Sequence, residues 1–232
     1  MRKSIKFVIL FVFIIIFGVL LFLLNSFYEN KDITSDEKKF KKEYESLNGK
    51  ESSDDKEMLS ITIPLKNYIK YIDSSTVIER LSKGSSVLYF GFPACPWCRN
   101  LIPELLKVNE EYQLPIYYYN ALDIRDKKHL DDDGNVITDT EGSKEYYKIL
   151  ELLGEKASRY DGLEDDSIKR LYFPTVVFVK GGEVMGVYEG TVASQNNPYE
   201  RLSKKQKGEL FENLEKYFDK MTVSVCDKDQ AC

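Results

Sequence analysis

Hydrophobic and polar positions divide this chain into four stretches of different character. Residues 1–28 open with positive charges and continue in an uncharged run over 7–24, which predicts an uncleaved, membrane-spanning signal anchor, with a cleaved signal peptide as the alternative. The positive charges stay in the cytoplasm, so the remainder is predicted outside a cell membrane that the chain crosses once. Residues 29–57 are highly charged, and we interpret them as a solvated tether. A folded domain is predicted over 58–221, followed by a tail at 222–232.

Within the predicted domain, the hydrophobic period alternates between that of a strand and that of a helix. Strand patterns occupy 59–63, 86–92, 114–122, 171–179 and 183–189. Helical patterns occupy 76–84, the stretch after Cys98, 143–153 and 203–220. The run 86–92 is apolar throughout, which is typical of a strand covered on both faces. The sequence therefore predicts an α/β domain, with a harder segment over 124–170 that contains a turn and a helix.

Composition and charge exclude several classes of function. The chain of 232 residues has a formal net charge of −5, with acidic and basic side chains mixed along it. Nucleic acid binding calls for a basic face, so no nucleic acid partner is predicted. His129 is the only histidine, which argues against histidine metal sites and Ser-His-Asp catalysis. An acidic turn near 131–139 has valine where a calcium-binding EF-hand loop needs glycine, so neither a metal nor a cofactor is predicted.

Cys95 and Cys98 stand between the predicted buried strand and a predicted helix, and they carry the candidate chemistry. A cysteine at a helix N-terminus is favoured as a thiolate, which is the attacking form of the thiol. The two-residue spacing lets the second sulfur resolve a mixed disulfide formed at the first. Pro96 suits the first helical position, and Trp97 offers a flat apolar surface. Arg99 adds a favourable charge if its side chain folds back towards the sulfur.

The other two cysteines leave alternatives open. A CxxC motif also occurs as half of a zinc site, and two buried cysteines can simply pack. The other half of a zinc site could come only from Cys226 and Cys232, whose spacing lies outside the usual range for zinc ligands. Redox chemistry is therefore favoured for Cys95 and Cys98. For Cys226 and Cys232 we predict a second disulfide in the tail, with exchange against the first pair as the alternative.

These features resemble the thioredoxin superfamily over about residues 59–221. Pro103 matches the proline eight residues after the first motif cysteine, and Asp123 matches an acidic residue at the end of a strand. Phe173-Pro174-Thr175 matches the cis-proline segment, and Gly190 matches the glycine that closes the next strand. Among relatives, the chain is most similar to membrane-anchored extracytoplasmic thioredoxin-like proteins of Gram-positive bacteria, including the bacteriocin-transport accessory type.

The resemblance implies a thioredoxin fold, with a mixed central sheet flanked by helices and a helical insertion over 124–170 near the site. It implies a thiol–disulfide oxidoreductase with Cys95 as nucleophile and Cys98 as resolving thiol, forming a redox-active disulfide. Its partners would be thiols or disulfides of exported proteins or peptides, together with a membrane redox partner. Phe173 would offer backbone hydrogen bonds to an extended substrate segment. The implied substrate-contacting residues are Pro96, Trp97, Phe173 and Pro174.

Two departures from the thioredoxin pattern affect the mechanism. Tyr89 stands where thioredoxin carries a buried acid that takes the proton of the resolving thiol, and the segment 124–170 is much longer. A non-catalytic binding subunit for an exported peptide or a transporter is therefore the alternative function. The direction of electron flow cannot be read from the residues. The Pro96-Trp97 pair resembles the dipeptides of glutaredoxin and DsbA-type proteins, which slightly favours an oxidase or an isomerase-like helper over a reductase.

Overall fold

The computed structural model of the protein describes residues 12–20 and 33–222. Residues 12–20 are helical and exposed. Across these two ranges, no helix combines the length and the apolar character needed to cross a membrane, and the predicted span over 7–24 lies partly outside them. Cys226 and Cys232, with the second disulfide predicted for them, also lie outside the described residues.

Between residues 33 and 222 the chain alternates helices and strands. The helices are α1 Ser35–Glu45, α2 Ser74–Ser82, α3 Pro96–Tyr112, α4 Lys144–Leu153 and α5 Lys204–Thr222. The strands are β1 Ile69–Tyr71, β2 Ser86–Phe90, β3 Ile116–Tyr119, β4 Lys127–Leu130, β5 Val136–Thr140, β6 Ser158–Arg159, β7 Lys169–Arg170, β8 Thr175–Lys180 and β9 Glu183–Glu189. Short 3-10 helices occupy Leu122–Ile124 and Gly154–Lys156.

The central sheet has five strands in the order β1-β3-β2-β8-β9. Strands β1 and β2 both pair with β3 in parallel, β8 runs antiparallel to β2, and β9 runs antiparallel to β8. Helices cover both faces, which is why all five residues of β2 are buried. Val87 and Tyr89 point into a core shared with α1, α3 and α5, while Leu88 and Phe90 point into a core shared with α2 and α4. The predicted mixed sheet flanked by helices is confirmed.

Helix α1 belongs to the folded domain, so the prediction of a solvated tether is wrong from Thr34 onward. Thr34 and Glu37 form a capping box, in which the Thr34 hydroxyl accepts from the Glu37 N–H and the Glu37 carboxylate accepts from the Thr34 N–H. Phe40 and Tyr44 are fully buried on the inner face. Only these two aromatic residues mark the buried face of an otherwise charged helix, which is too short a pattern for sequence periodicity to detect.

Residues 59–63 are extended but do not form the predicted strand. The alternation of apolar and polar residues still predicts which side chains are buried, because Ile61 and Ile63 lie in the core. Side chains of the preceding segment, not a neighbouring strand, satisfy the backbone. The Ile61 carbonyl accepts from Asn48 at 2.9 Å, and the Ile63 carbonyl accepts from Lys41 at 2.7 Å. Polar side chains therefore make the hydrogen bonds to this backbone that a neighbouring strand would otherwise make.

The first strand and the following helix also begin where the sequence pattern did not place them. The three-residue strand β1 was not predicted, because three residues are too few to show an alternation. Helix α2 starts at an Asp73 cap, whose carboxylate accepts from the Thr76 N–H at 2.8 Å. The helix therefore begins two residues before the predicted pattern of 76–84, and Gly84 follows its end.

The long segment 124–170 contains the predicted turn and helix, but it is less helical than the predicted helical insertion. It contains the hairpin β4–β5, the helix α4 and the small hairpin β6–β7. Helix α4 is capped by Ser143, as the predicted helix of 143–153 allows, and its buried residues Tyr146 and Ile149 join the core beneath the sheet. The acidic turn is closed locally, because Asp131 accepts backbone hydrogen bonds from Asp133 and Asn135. Most of the insertion therefore extends the fold on the α2 side.

Candidate active site

Cys95 is the N-cap residue of α3 and lies just beyond the carboxyl end of β2. Its Sγ accepts a hydrogen bond from the Cys98 backbone N–H at 3.2 Å. Pro96 stands in the first turn of the helix, where the missing N–H leaves no hydrogen bond unmade. Cys95 keeps an exposed fraction of 4%, whereas Cys98 has none, and both are free thiols. A disulfide from solution can therefore reach only the first sulfur.

The two thiols are driven towards opposite protonation states. Burial disfavours the charged form of Cys95 and by itself would raise its pKa. Hydrogen bonds from the Cys98 thiol and from the N–H groups of Cys98 and Trp97 favour the thiolate, as does the positive charge of Arg125. These effects outweigh burial, so the pKa of Cys95 is lowered. Burial dominates at Cys98, and its hydrogen bond to Cys95 adds to it, so the pKa of Cys98 is raised well above its usual value. The arrangement therefore favours the thiolate at Cys95 and the protonated thiol at Cys98.

Phe173 and Pro174 lie beside the first sulfur, as predicted. The peptide bond between them is cis. The Phe173 carbonyl oxygen lies 3.8 Å from the Sγ of Cys95 and accepts a hydrogen bond from its thiol. The Phe173 ring meets the Phe92 ring edge to face at 5.6 Å, and Trp97 is half-buried on α3. The structure thus brings the predicted motif, proline loop and aromatic residues together around Cys95.

Arg125 is a site residue for which the sequence carried no signal. It follows the 3-10 helix Leu122–Ile124, and its Nη1 donates to the Leu171 carbonyl at 3.3 Å. Its guanidinium lies 4.8 Å from the centre of the Phe173 ring. From this position the positive charge favours the Cys95 thiolate. The insertion therefore contributes a charge to the site instead of a helical cap.

Arg99 does not fold back towards the sulfur, so that expectation is wrong. Its side chain is almost completely buried and points towards the N-terminal segment. The four acceptors of its guanidinium are the carbonyls of Leu59 at 2.8 Å, Tyr44 at 2.9 Å and Pro93 at 3.0 Å, and the Asn48 side chain at 2.5 Å. Arg99 thus ties α1 and the segment after it to the helix that carries both cysteines.

Tyr89, at the position of the missing acid, is fully buried beneath the dithiol. Its hydroxyl lies 2.9 Å from the hydroxyl of Tyr44 on α1 and faces the Cys98 thiol, whose ionised form it favours. Gly91 makes room for this arrangement, because a Cβ there would stand 2.3 Å from the Tyr89 hydroxyl and 3.0 Å from the Cys98 Sγ. Tyr44 was missed because its segment was interpreted as a tether.

A second rim of the site comes from the loop after β9. The Tyr199 hydroxyl donates to Asp54 at 2.7 Å and accepts from Ser52 at 3.3 Å. Asn100, on α3, holds the same loop by donating to the Pro198 carbonyl at 2.8 Å. The segment once interpreted as a tether therefore also borders the site.

Comparison with known proteins gives no further guide to function. No protein-family model matches the chain, and no curated protein matches it. In the ranges 12–20 and 33–222, no group of three or more His, Cys, Asp or Glu side chains is placed to hold a metal ion. The function is therefore inferred from the chemistry of the dithiol and its surroundings.

Replacing Arg125 with glutamine is expected to raise the pKa of Cys95, because a positive charge that favours the thiolate is removed. At a pH near this pKa, the variant then has less thiolate and attacks a disulfide more slowly, while well above the pKa the two proteins converge. The measurement is the ultraviolet absorbance of the thiolate against pH in the reduced protein.

Two variants control the Arg125 experiment. Arg125→Lys keeps the charge and should keep most of the effect on Cys95. Arg159→Gln removes an exposed guanidinium from the same insertion, where it is paired with Asp166 at 3.2 Å, and should leave the titration of Cys95 unchanged. An unchanged midpoint in Arg125→Gln would show that its charge does not act on the nucleophile.

Proposed function

We propose that this protein is a thiol–disulfide oxidoreductase that is tethered to the cell membrane and acts outside the cytoplasm on exported proteins or peptides. The observation that carries the proposal is the asymmetry of the dithiol. Cys95 is reachable and favoured as a thiolate at a helix N-terminus, while Cys98 is buried and protonated and its backbone N–H donates to the Cys95 sulfur at 3.2 Å. One reactive and one resolving sulfur are what disulfide exchange requires.

The fold and the anchor support this proposal. The sheet order β1-β3-β2-β8-β9, with β8 alone antiparallel to the rest, matches the thioredoxin fold. The cis Phe173-Pro174 peptide beside the first cysteine is a second point of agreement. The uncharged run 7–24 after early positive charges supports membrane attachment with the domain outside, where disulfides persist.

The reaction proceeds in two exchanges when the dithiol reduces a substrate. The Cys95 thiolate attacks one sulfur of a substrate disulfide, so a bond forms between Cys95 and the substrate while the other substrate sulfur leaves as a thiolate and takes up a proton. Cys98 then attacks Cys95 within the mixed disulfide. The Cys95–Cys98 disulfide forms, the substrate sulfur departs, and the proton lost by Cys98 ends on it. The reverse sequence oxidises a substrate dithiol.

The direction of net transfer follows from the stability of the reduced form. Groups that stabilise the Cys95 thiolate stabilise the dithiol, and this makes the Cys95–Cys98 disulfide a stronger oxidant. The proposal therefore favours donation of a disulfide to substrates, or isomerisation, over reduction. A membrane redox partner would then restore the disulfide after each turnover.

The substrate is proposed to lie along the loop that contains Phe173. Its carbonyl already faces the Cys95 sulfur at 3.8 Å, so an extended peptide can place a cysteine at that sulfur while its backbone pairs with the loop. The half-buried rings of Phe92 and Phe173, with Trp97, offer an apolar border on the same side. Recognition would then depend mainly on the backbone and on apolar side chains.

The proposed function predicts catalysis of disulfide formation in a reduced, unfolded protein. The full chain in detergent micelles, first oxidised, is expected to raise the rate of disulfide formation well above the rate in glutathione buffer alone. The measurement is the number of free thiols on the substrate against time. Binding of unfolded peptide without any rate increase would overturn the proposal and favour the non-catalytic binding subunit.

A further inference from the structure

A chain of three buried side chains runs beneath the reactive sulfur. Tyr44 on α1, Tyr89 on β2 and Cys98 on α3 are each fully buried. The two hydroxyl oxygens lie 2.9 Å apart, and the Tyr89 hydroxyl and the Cys98 sulfur both border Gly91, at 2.3 Å and 3.0 Å from the position that a Cβ there would take. Three elements that are far apart in the sequence thus meet at the thiol that must act in the resolving step.

Among the described residues, no carboxylate belongs to this row of buried side chains. The titratable groups that face Tyr89 include Cys95 and Cys98 from α3, Tyr44 from α1, and Tyr118 from β3, whose ring stacks on that of Tyr89. Tyr44 also faces Tyr118 from β3, and the Arg99 guanidinium donates to its backbone carbonyl. Whatever assists Cys98 must therefore work through hydroxyl groups and not through an acid that accepts a proton.

The hydroxyl groups are suited to donating hydrogen bonds and unsuited to acting as bases. Burial raises the pKa of Tyr89 and of Tyr44 above the usual value for a phenol. Both side chains therefore stay protonated and neutral. A neutral phenol next to a buried sulfur can stabilise a thiolate by donation, and hydrogen bonds to charged acceptors are stronger than those between neutral groups.

We infer that Tyr89 is a catalytic residue that donates a hydrogen bond to the Cys98 thiolate in the resolving step, and that Tyr44 is a positioning residue that orders Tyr89. This inference rests on the proposed function. In the resting dithiol, the charge of Cys95 opposes ionisation of Cys98. Once Cys95 is held in a mixed disulfide, that charge is gone, and Cys98 must give up its proton where no water reaches it.

The direction of the hydrogen bonds from Tyr44 through Tyr89 to Cys98 then accounts for the resolving step. Tyr89 turns its O–H towards the Cys98 sulfur, and Tyr44 donates to the Tyr89 oxygen, which strengthens the first hydrogen bond. The Cys98 sulfur attacks Cys95, the bond between Cys95 and the substrate sulfur breaks, and the departing sulfur takes the proton that Cys98 gave up. The tyrosines begin and end the step as neutral phenols. Helix α1 thereby becomes part of the redox machinery.

The test follows the two exchanges separately in the full chain in detergent micelles. Reduced protein that carries Cys226→Ser and Cys232→Ser, so that only the motif thiols can react, is mixed with dithiobis-nitrobenzoate, an aromatic disulfide that releases a coloured thiolate at each exchange. The first release reports attack by Cys95, and the second reports resolution by Cys98. Tyr89→Phe is expected to slow the second release by about tenfold or more, because a hydrogen bond to a charged sulfur is lost.

The variant series separates a role in resolution from a general structural effect. Tyr44→Phe is expected to slow the second release by roughly threefold, and the double variant should be no slower than Tyr89→Phe, because Tyr44 acts through Tyr89. The pH midpoint of the second release should rise in Tyr89→Phe. Tyr118→Phe is the matched control and should leave both releases unchanged. The Tyr118 ring stacks 5.5 Å from that of Tyr89, but its hydroxyl makes no hydrogen bond to Tyr44, Tyr89 or Cys98.

Each possible result of these measurements either supports or overturns the inference. A second release with the wild-type rate and pH midpoint in Tyr89→Phe would overturn the inference, as would fully additive effects in the double variant. If Tyr89→Phe does not fold, the rate and pH midpoint of Tyr44→Phe decide in the same way. Absence of the first release from the wild-type protein would instead refute the proposed function, which distinguishes the two failures.

Discussion

Cys95→Ser is expected to lower the rate of disulfide exchange by roughly a thousandfold or more, since a serine hydroxyl is not ionised near neutral pH and cannot attack a disulfide. Cys98→Ser is instead expected to prolong the lifetime of the mixed disulfide between Cys95 and a substrate. It leaves the reachable nucleophile in place and removes the sulfur that lies closest to it, so mixed disulfides between Cys95 and substrates should accumulate. The measurement is non-reducing electrophoresis of membranes followed by mass spectrometry of the adducts.

The tail cysteines supply the control for this experiment. A chain with Cys226→Ser and Cys232→Ser, in addition to Cys98→Ser, should trap the same adducts if the motif acts alone. Loss of adducts in that chain would show that the tail pair exchanges with the motif. Adducts in a chain that carries both Cys95→Ser and Cys98→Ser would contradict the assignment of Cys95 as the nucleophile. The identity of the trapped proteins would also name the substrates.

Phe40→Ala is expected to lower the free energy of unfolding by about 3–5 kcal/mol, because it leaves a cavity in a fully buried aromatic cluster. The Phe40 ring lies 4.4 Å from that of Tyr44 and 5.2 Å from that of Tyr118. The rings of Tyr71 and Tyr89 also lie within contact distance, at 6.5 Å each. Denaturant unfolding of the purified protein measures the change through the midpoint at constant slope.

A matched surface change on the same helix separates packing from charge. Lys38 is exposed on α1, and Lys38→Ala should change the free energy of unfolding by no more than about 0.5 kcal/mol. If Phe40→Ala behaves like Lys38→Ala, then α1 does not contribute to the core, and the solvated tether would be the better description. A large difference between the two establishes α1 as part of the domain.

Local patterns were sufficient wherever neighbouring residues alone decide the structure. The apolar run of β2, the helix α4 and the two strands of the β8–β9 hairpin all lie close to where the sequence predicted them. At that hairpin, Gly181 and Gly182 both have positive φ, at 61° and 81°, which two adjacent glycines permit. The motif cysteines and Pro96 belong to the same class, because the start of a helix and the spacing of two residues are local properties.

The surroundings of the dithiol were harder to predict, because they are assembled from distant segments. Arg125 reaches Cys95 from an insertion whose sequence has no pattern that points to a sulfur. The direction of Arg99 depends on acceptors that lie up to 55 residues away, at Tyr44. Neither the period of a helix nor the charge of a residue states which distant carbonyl or ring it will meet.

The sequence by itself determined the reactive pair, its place between a buried strand and a helix, and the proline loop expected beside it. The tertiary structure alone decided that a charged N-terminal segment packs as α1 and brings Tyr44 to Tyr89, 45 residues further along. The physical reason is that burial of Phe40 and Tyr44 depends on the shape of the core they enter and not on their neighbours in the chain. The residue beneath Cys98 therefore acquired a partner that no local pattern could supply.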